Sequence, residues 1–167
     1  MAEIISGPVA VMGRDIDTDQ IIPARHLTTA DPAKLASHVF EDSPLKAKIK
    51  PGVIIAAGPN FGSGSSREHA PLALLAAGVR AVLAESLARI FARNSINIGL
   101  LALEAPGVSA LKDGQIISLD LEAGLISGPD GLAIKITPVP AFVRQIIAAG
   151  GLIAWIKAGG LGSERKR

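Results

Sequence analysis

Ser65, Ser66 and Arg67 place two hydroxyls and a guanidinium side by side, directly after a stretch punctuated by Gly58, Gly62 and Gly64. An apolar run at 53–57 precedes them and reads as a buried strand. A helical pattern carrying Leu72, Leu75 and Ala76 follows, with Gly78 as its stop signal. Strand, glycine loop and helix start is a geometry that points backbone N–H groups at an anion. With the hydroxyls and the guanidinium added, it suits a carboxylate or a phosphate. A reading without a ligand also fits. Ser65 and Glu68 have the spacing of a capping box, Ser66 is an alternative cap, and the glycines permit a tight turn. Two details favour a binding role. Pro71 removes a donor and crowds the preceding turn of a helix that starts at Ser66, so an irregular first turn is expected. Arg67 has Ser63, Gly64, Ala70 and Pro71 at helical spacing, and none is acidic. The P-loop is excluded because no Lys lies here, and the dinucleotide fingerprint because Ser65-Ser66-Arg67 follows Gly62-Ser63-Gly64.

A second polar stretch lies upstream. Asp15, Asp17 and Asp19 alternate as in a calcium loop, but Gln20 stands where that loop needs Gly and His26 where it needs Glu. The residue types fit a loop whose Asp side chains cap local backbone. Arg25 and a polar loop to Thr29 follow.

The elements that must position these residues alternate between strand and helix. Residues 4–12 read as a strand interrupted at Gly7-Pro8, and 31–40 as a helix with Asp31 as N-cap and Pro32 in its first turn. In that helix Leu35, Val39 and Phe40 face inward and His38 outward. Residues 80–84 form a second buried strand, so 53–84 is a parallel βαβ unit. A further helix starts at Glu85 or Ser86 with Leu87, Ile90 and Phe91 inward, 94–99 is a loop, and 100–103 a third strand. Arg89 and Arg93 share a solvated face. Alternation at 115–122 and 132–137 around Gly128-Pro129-Asp130-Gly131 signals a C-terminal β-hairpin. Residues 140–149 form a helix with Phe142, Ile146 and Ile147 inward, and Trp155 is a core or interface anchor. The fold class is therefore α/β, with a mixed sheet, a parallel βαβ core and a C-terminal hairpin. The chain reads as one domain over 1–167 with a flexible tail at 159–167.

Composition narrows the function classes. Apolar residues make up 49% of 167, enough for a core, and the net charge of +2 comes partly from the tail Arg165-Lys166-Arg167. Aromatic content of 3% supplies few stacking platforms for nucleic acid. There is no Cys, so no disulfide, cluster or thiolate metal site can be built from this chain alone. No secretory signal or membrane-length apolar stretch is visible, and a cytoplasmic protein is expected.

Gly62-Ser63-Gly64-Ser65-Ser66-Arg67-Glu68-His69-Ala70 resembles the G-x-G-S-S-R-E-x-A motif of the aconitase superfamily at every specified position. Asp15-Ile16-Asp17-Thr18-Asp19-Gln20-Ile21-Ile22-Pro23-Ala24-Arg25 matches the second signature of its small-subunit branch, in the expected order. Over nearly its full length the chain resembles the stand-alone swivel domain of isopropylmalate isomerase small subunits. That resemblance implies a swivelling β/β/α-type domain and a hydro-lyase of leucine biosynthesis that isomerises 2- and 3-isopropylmalate by dehydration and rehydration. It implies Ser65 as the catalytic base, Ser66 and Arg67 as substrate-binding residues, Arg25 as a second carboxylate-binding arginine, and Asp19, paired with Thr18, as the catalytic acidic residue beside it. No cofactor or metal is expected in this chain. A [4Fe–4S] cluster is expected in a large partner subunit, with the active site shared between the two chains.

In the same family the loop after Arg25 lies over the variable end of the substrate. Relatives that act on homoaconitate have an Arg where Thr28 stands here, so a neutral loop with Leu27 suits a branched apolar group. Dimethylmalate, citramalate or citraconate are the nearest alternatives, and an anion-binding module without chemistry is the non-enzymatic one.

Overall fold

The computed structural model describes residues 3–160 and 162. Seven strands, β1 (Ile4–Met12), β2 (Ile54–Ala57), β3 (Ala81–Ala84), β4 (Leu101–Glu104), β5 (Ile116–Asp120), β6 (Leu125–Ser127) and β7 (Ala133–Lys135), form one mixed sheet in the order β4-β3-β2-β1-β5-β6-β7. Strands β1 to β4 are parallel to one another and β5 to β7 antiparallel. The continuous apolar runs have the expected cause: β2 and β3 are buried on both faces.

One face packs Ile55, Ala57 and Val82 against Phe40, Phe61 and Phe91, under the helices. The other face packs Ile54, Ala56 and Leu83 against Ile117, Leu119 and Ile126. The antiparallel strands therefore curl over the parallel ones, and the sheet covers part of itself. The break expected at Gly7-Pro8 is a change of partner within an unbroken strand. Residues 4–8 of β1 pair with β5 and residues 9–12 with β2, so the missing Pro8 N–H falls where the ladder switches sides.

Helix α1 (Thr18–Ile21) follows β1, then a 3-10 turn at Ala24–His26 and α2 (Pro32–Ser37). Helix α3 (His69–Ala76) joins β2 to β3, and α4 (Arg89–Ile98) joins β3 to β4, completing the parallel crossovers. Helices α5 (Ala141–Ala148) and α6 (Leu152–Lys157) close the chain.

Several boundaries differ from the sequence reading. Helix α4 starts at Arg89 because the residues before it are held extended: the Glu104 carboxylate accepts from Leu87 N–H, and Glu85 accepts from Gly107 and Ser109 N–H. It runs to Ile98, through the polar stretch read as a loop, with the Ser95 hydroxyl bonded back to the Phe91 carbonyl at 2.7 Å. Ile90 and Phe142, expected inward, are each 51% exposed. The expected hairpin is a three-stranded meander. β6 lies between the two predicted strands and pairs with both, and the Gly128 turn joins β6 to β7. The expected tail falls largely outside the described residues; Gly159 and Gly160 donate to Ile156 and Trp155 and close the last turn of α6. Among the described residues no helix is long and apolar enough to cross a membrane.

Candidate active site

The two polar signatures meet through their backbones. Asp17 caps α1 by accepting from Gln20 N–H at 2.7 Å, and Asp19 Oδ1 accepts from Ala24 N–H at 2.9 Å, as capping Asp side chains should. Gly62 N–H donates to the Ile16 carbonyl and Thr18 N–H to the Ser63 carbonyl, both at 2.7 Å. Ser65 N–H donates to Thr18 Oγ1 at 2.9 Å. These bonds lay the glycine loop along the start of α1.

Glycine is required on this path for two reasons. Gly62 (φ +82°) and Gly64 (φ +107°) take left-handed backbone that side chains avoid. A Cβ on Gly62 would also lie 2.2 Å from Phe91 Cγ, and one on Gly64 would lie 2.9 Å from Thr18 Oγ1.

The capping box does not form. Helix α3 begins at His69, Glu68 makes no side-chain cap bond, and Ser65 Oγ accepts instead from Arg67 N–H at 3.2 Å. Pro71 thereby falls in the first turn of α3, where its missing donor costs little. The other anchor is Asn94 of α4, whose Nδ2 donates to the Ser66 carbonyl at 2.8 Å.

A cavity of about 380 Å³ opens between the glycine loop, α1 and the start of α3. Ser65, Arg67 and Asp19 lie on it, with Thr18 and His69 adding polar surface and Ile22 and Leu27 apolar surface. Ser66, Arg25 and Thr28 are not among its lining residues. Ser66 and Thr28 are exposed. Arg67 makes no ion pair and no side-chain hydrogen bond among the described residues, so its guanidinium is available to an anion.

Arg25 is differently placed. It grips both oxygens of Asp42 at 2.7 and 2.8 Å and reaches Glu41 at 2.9 Å. The Arg25 hydrogen bonds hold the Asp42 carboxyl below the usual carboxylate range. Glu41 is lowered too, first by its hydrogen bond from His26. Sequence spacing gave no hint of these contacts, which cross fifteen to seventeen positions. His69 is a cavity residue that spacing does not single out. It stands inside the matched motif, but only the fold shows it on the cavity, with its Nδ1 buried and without a hydrogen-bond partner among the described residues. With no Cys, the donor set of this chain does not fit an iron–sulfur cluster.

Residues 43–107, which carry the glycine loop and its βαβ frame, match the aconitase C-terminal domain family. The 3-isopropylmalate dehydratase small subunit of Nautilia profundicola is 54% identical over 92% of this chain and 95% of its own length. Small subunit 1 of the same enzyme from Methanopyrus kandleri is 50% identical over 96% of each chain. The crystal structure of 3-isopropylmalate dehydratase from Methanocaldococcus jannaschii superposes with a TM-score of 0.86 at 42% identity, covering 99% of this chain and 100% of that one. This chain belongs to the 3-isopropylmalate dehydratase small-subunit family.

Proposed function

We propose that this chain is the small subunit of a cytoplasmic hydro-lyase that interconverts 2- and 3-isopropylmalate in leucine biosynthesis, acting as one swivel-type domain docked on a large subunit. The observation that carries the reading is the convergence of Ser65, Arg67 and Asp19 on one cavity, from two stretches far apart in the chain. Dehydration of a hydroxy diacid needs a base for the proton beside a carboxylate and cations for the carboxylates. Ser65 takes that proton at Oγ. Arg67 holds a carboxylate with its fork and Asp19 completes the polar side, while Ser66, exposed beside Arg67 and off the cavity wall, adds a hydroxyl at its rim. Helix α3 starts four residues after Ser65, so its N-terminal N–H groups stand further from Oγ than a helix beginning at Ser65 would place them. Arg67 therefore carries more of the charge stabilisation.

We assign a [4Fe–4S] cluster to the partner, because this chain offers no thiolate; held there, it would supply the Lewis acid that accepts the departing hydroxyl while Ser65 holds the proton. The active site is completed at the interface between the two subunits. Arg25 belongs to this reading as a second carboxylate grip, which requires it to exchange Asp42 for substrate. Leu27 on the cavity and the neutral Thr28 beside it favour a branched apolar group over an extra carboxylate. Isopropylmalate is therefore preferred over homoaconitate, with dimethylmalate and citramalate between.

The test is reconstitution with an iron–sulfur large subunit. The chain alone should be inactive and the complex active. Ser65→Ala should lower kcat about 10²–10⁴-fold with little change in KM, the usual range for losing a general base. Turnover by the chain alone, or an unimpaired Ser65→Ala complex, would overturn the assignment.

A further inference from the structure

We propose that His26, His38 and Glu41 form a site for a first-row transition dication such as zinc, beside the substrate cavity and separate from its polar wall. One imidazole nitrogen from each His and one oxygen of Glu41 lie within 4.8 Å of one another. The sequence hides this grouping, because His26 ends the 3-10 turn while His38 follows α2. The fold makes it in two steps. Phe40 N–H donates to the Ile21 carbonyl at 2.8 Å, bringing the end of α2 against α1. Phe40 itself is buried in left-handed backbone (φ +51°), which turns the chain so that Glu41 comes back alongside His38.

The two imidazoles stack with centroids 3.7 Å apart and planes 10° from parallel. His38 is therefore not the solvated helical residue that its spacing implied. Both rings turn a nitrogen toward the same carboxylate: His26 Nε2 bonds Glu41 Oε2, and His38 Nδ1 lies 3.2 Å from Glu41 Oε1. That contact is misdirected, so His38 Nδ1 is buried with no hydrogen-bond partner. A shielded ring nitrogen that faces a carboxylate oxygen without a well-aligned hydrogen bond is the second pointer to a ligand between them.

Two neutral imidazoles and one carboxylate suit zinc, cobalt or nickel. Calcium and magnesium prefer all-oxygen shells. Water would fill the remaining position. Stacked rings do not aim both lone pairs at one point, so one imidazole must swing about its terminal torsion, which is a broad one. The ion would also take Glu41 from Arg25, which keeps both oxygens of Asp42. Occupancy would tie the turn at Ala24–His26 to the end of α2, and Ala24 and Leu27 line the cavity. The site would thus stiffen one wall of the cavity.

The test is a titration of the metal-free full chain with Co²⁺, followed by visible absorption, and with Zn²⁺, followed by calorimetry. One equivalent should bind, and tetrahedral cobalt bands should appear. His26→Gln, His38→Gln and Glu41→Gln should each weaken binding by at least about 10–100-fold, the loss seen even for groups that merely support a ligand. His69→Gln, which alters the only other His, should bind as the parent does. Circular dichroism melts check that each variant is folded. No saturable binding by the parent chain overturns the site. So does binding that survives in folded His26→Gln and Glu41→Gln variants, or that vanishes in His69→Gln alone.

Discussion

The cavity has two walls, each expected to supply a guanidinium, and they are held by different forces. The wall at 62–67 is held through its own main-chain N–H and C=O groups, bonded to the Ile16 carbonyl, to Thr18 and to the Asn94 side chain, and by two left-handed glycines at which an added Cβ would clash. Its Arg67 has no ion-pair partner among the described residues. The wall at 24–27 is held by exposed side-chain contacts, and there Arg25 is the main clasp, on Asp42 and Glu41. A cation is free to meet an anionic ligand where backbone does the holding, and is occupied where the cation is itself the fastener. The backbone-built wall should be sensitive to shape, and the ion-paired wall to charge, salt and pH.

The strongest way to break the first wall is Gly62→Ala. The added Cβ meets the Phe91 ring and the backbone must leave φ +82°, so a loss of about 2–4 kcal/mol is expected in a denaturant titration. A loss within experimental error would mean that the loop yields easily. Next comes the comparison of the arginines in the reconstituted complex. Arg67→Lys keeps the charge but loses the fork, and KM should rise about 10–100-fold, equivalent to one strong charge-assisted bond or two. Arg25→Lys should cost less, because what Arg25 gains on the substrate is offset by giving up Asp42. No loss at Arg25→Lys would remove Arg25 from the carboxylate grips, and a loss equal to that at Arg67 would show that leaving Asp42 costs little.

Thr18→Val removes the acceptor of Ser65 N–H at nearly constant shape. It should cost about 1 kcal/mol and speed amide exchange at Ser65. The smallest effect is expected on the other wall. Glu41 and Asp42 have lowered folded pKa values, so their contribution is full above the unfolded range near about 4 and is lost as pH falls through the folded values. The melting temperature should hold from neutral pH down to about 5 and dip slightly below about 4, less so in Asp42→Asn and in high salt. A dip of the same size in Asp42→Asn would place the sensitivity elsewhere.

Much of the fold was legible because its signals are local. The runs at 54–57 and 81–84 have no polar alternate because both faces are buried, and Asp31 and Pro32 mark a helix start by capping geometry alone. Errors arose where a distant residue decided the outcome. Glu104 and Glu85 delay α4, β6 intrudes between the two predicted hairpin strands, and the side chains of Ile90 and Phe142 follow neighbours that periodicity cannot name.

The sequence alone determined the two polar signatures, the absence of any thiolate and the alternation of strand and helix, because each depends on residue identity or short spacing. Only the tertiary structure decided that Ser65 rests on Thr18, that Arg25 is clasped while Arg67 has no partner among the described residues, and that His26 stacks on His38. Those outcomes turn on distances of a few ångströms between residues far apart in the chain. Such distances are set by the packing of α1, α2 and α3 against one face of the sheet, and residue order carries no record of them.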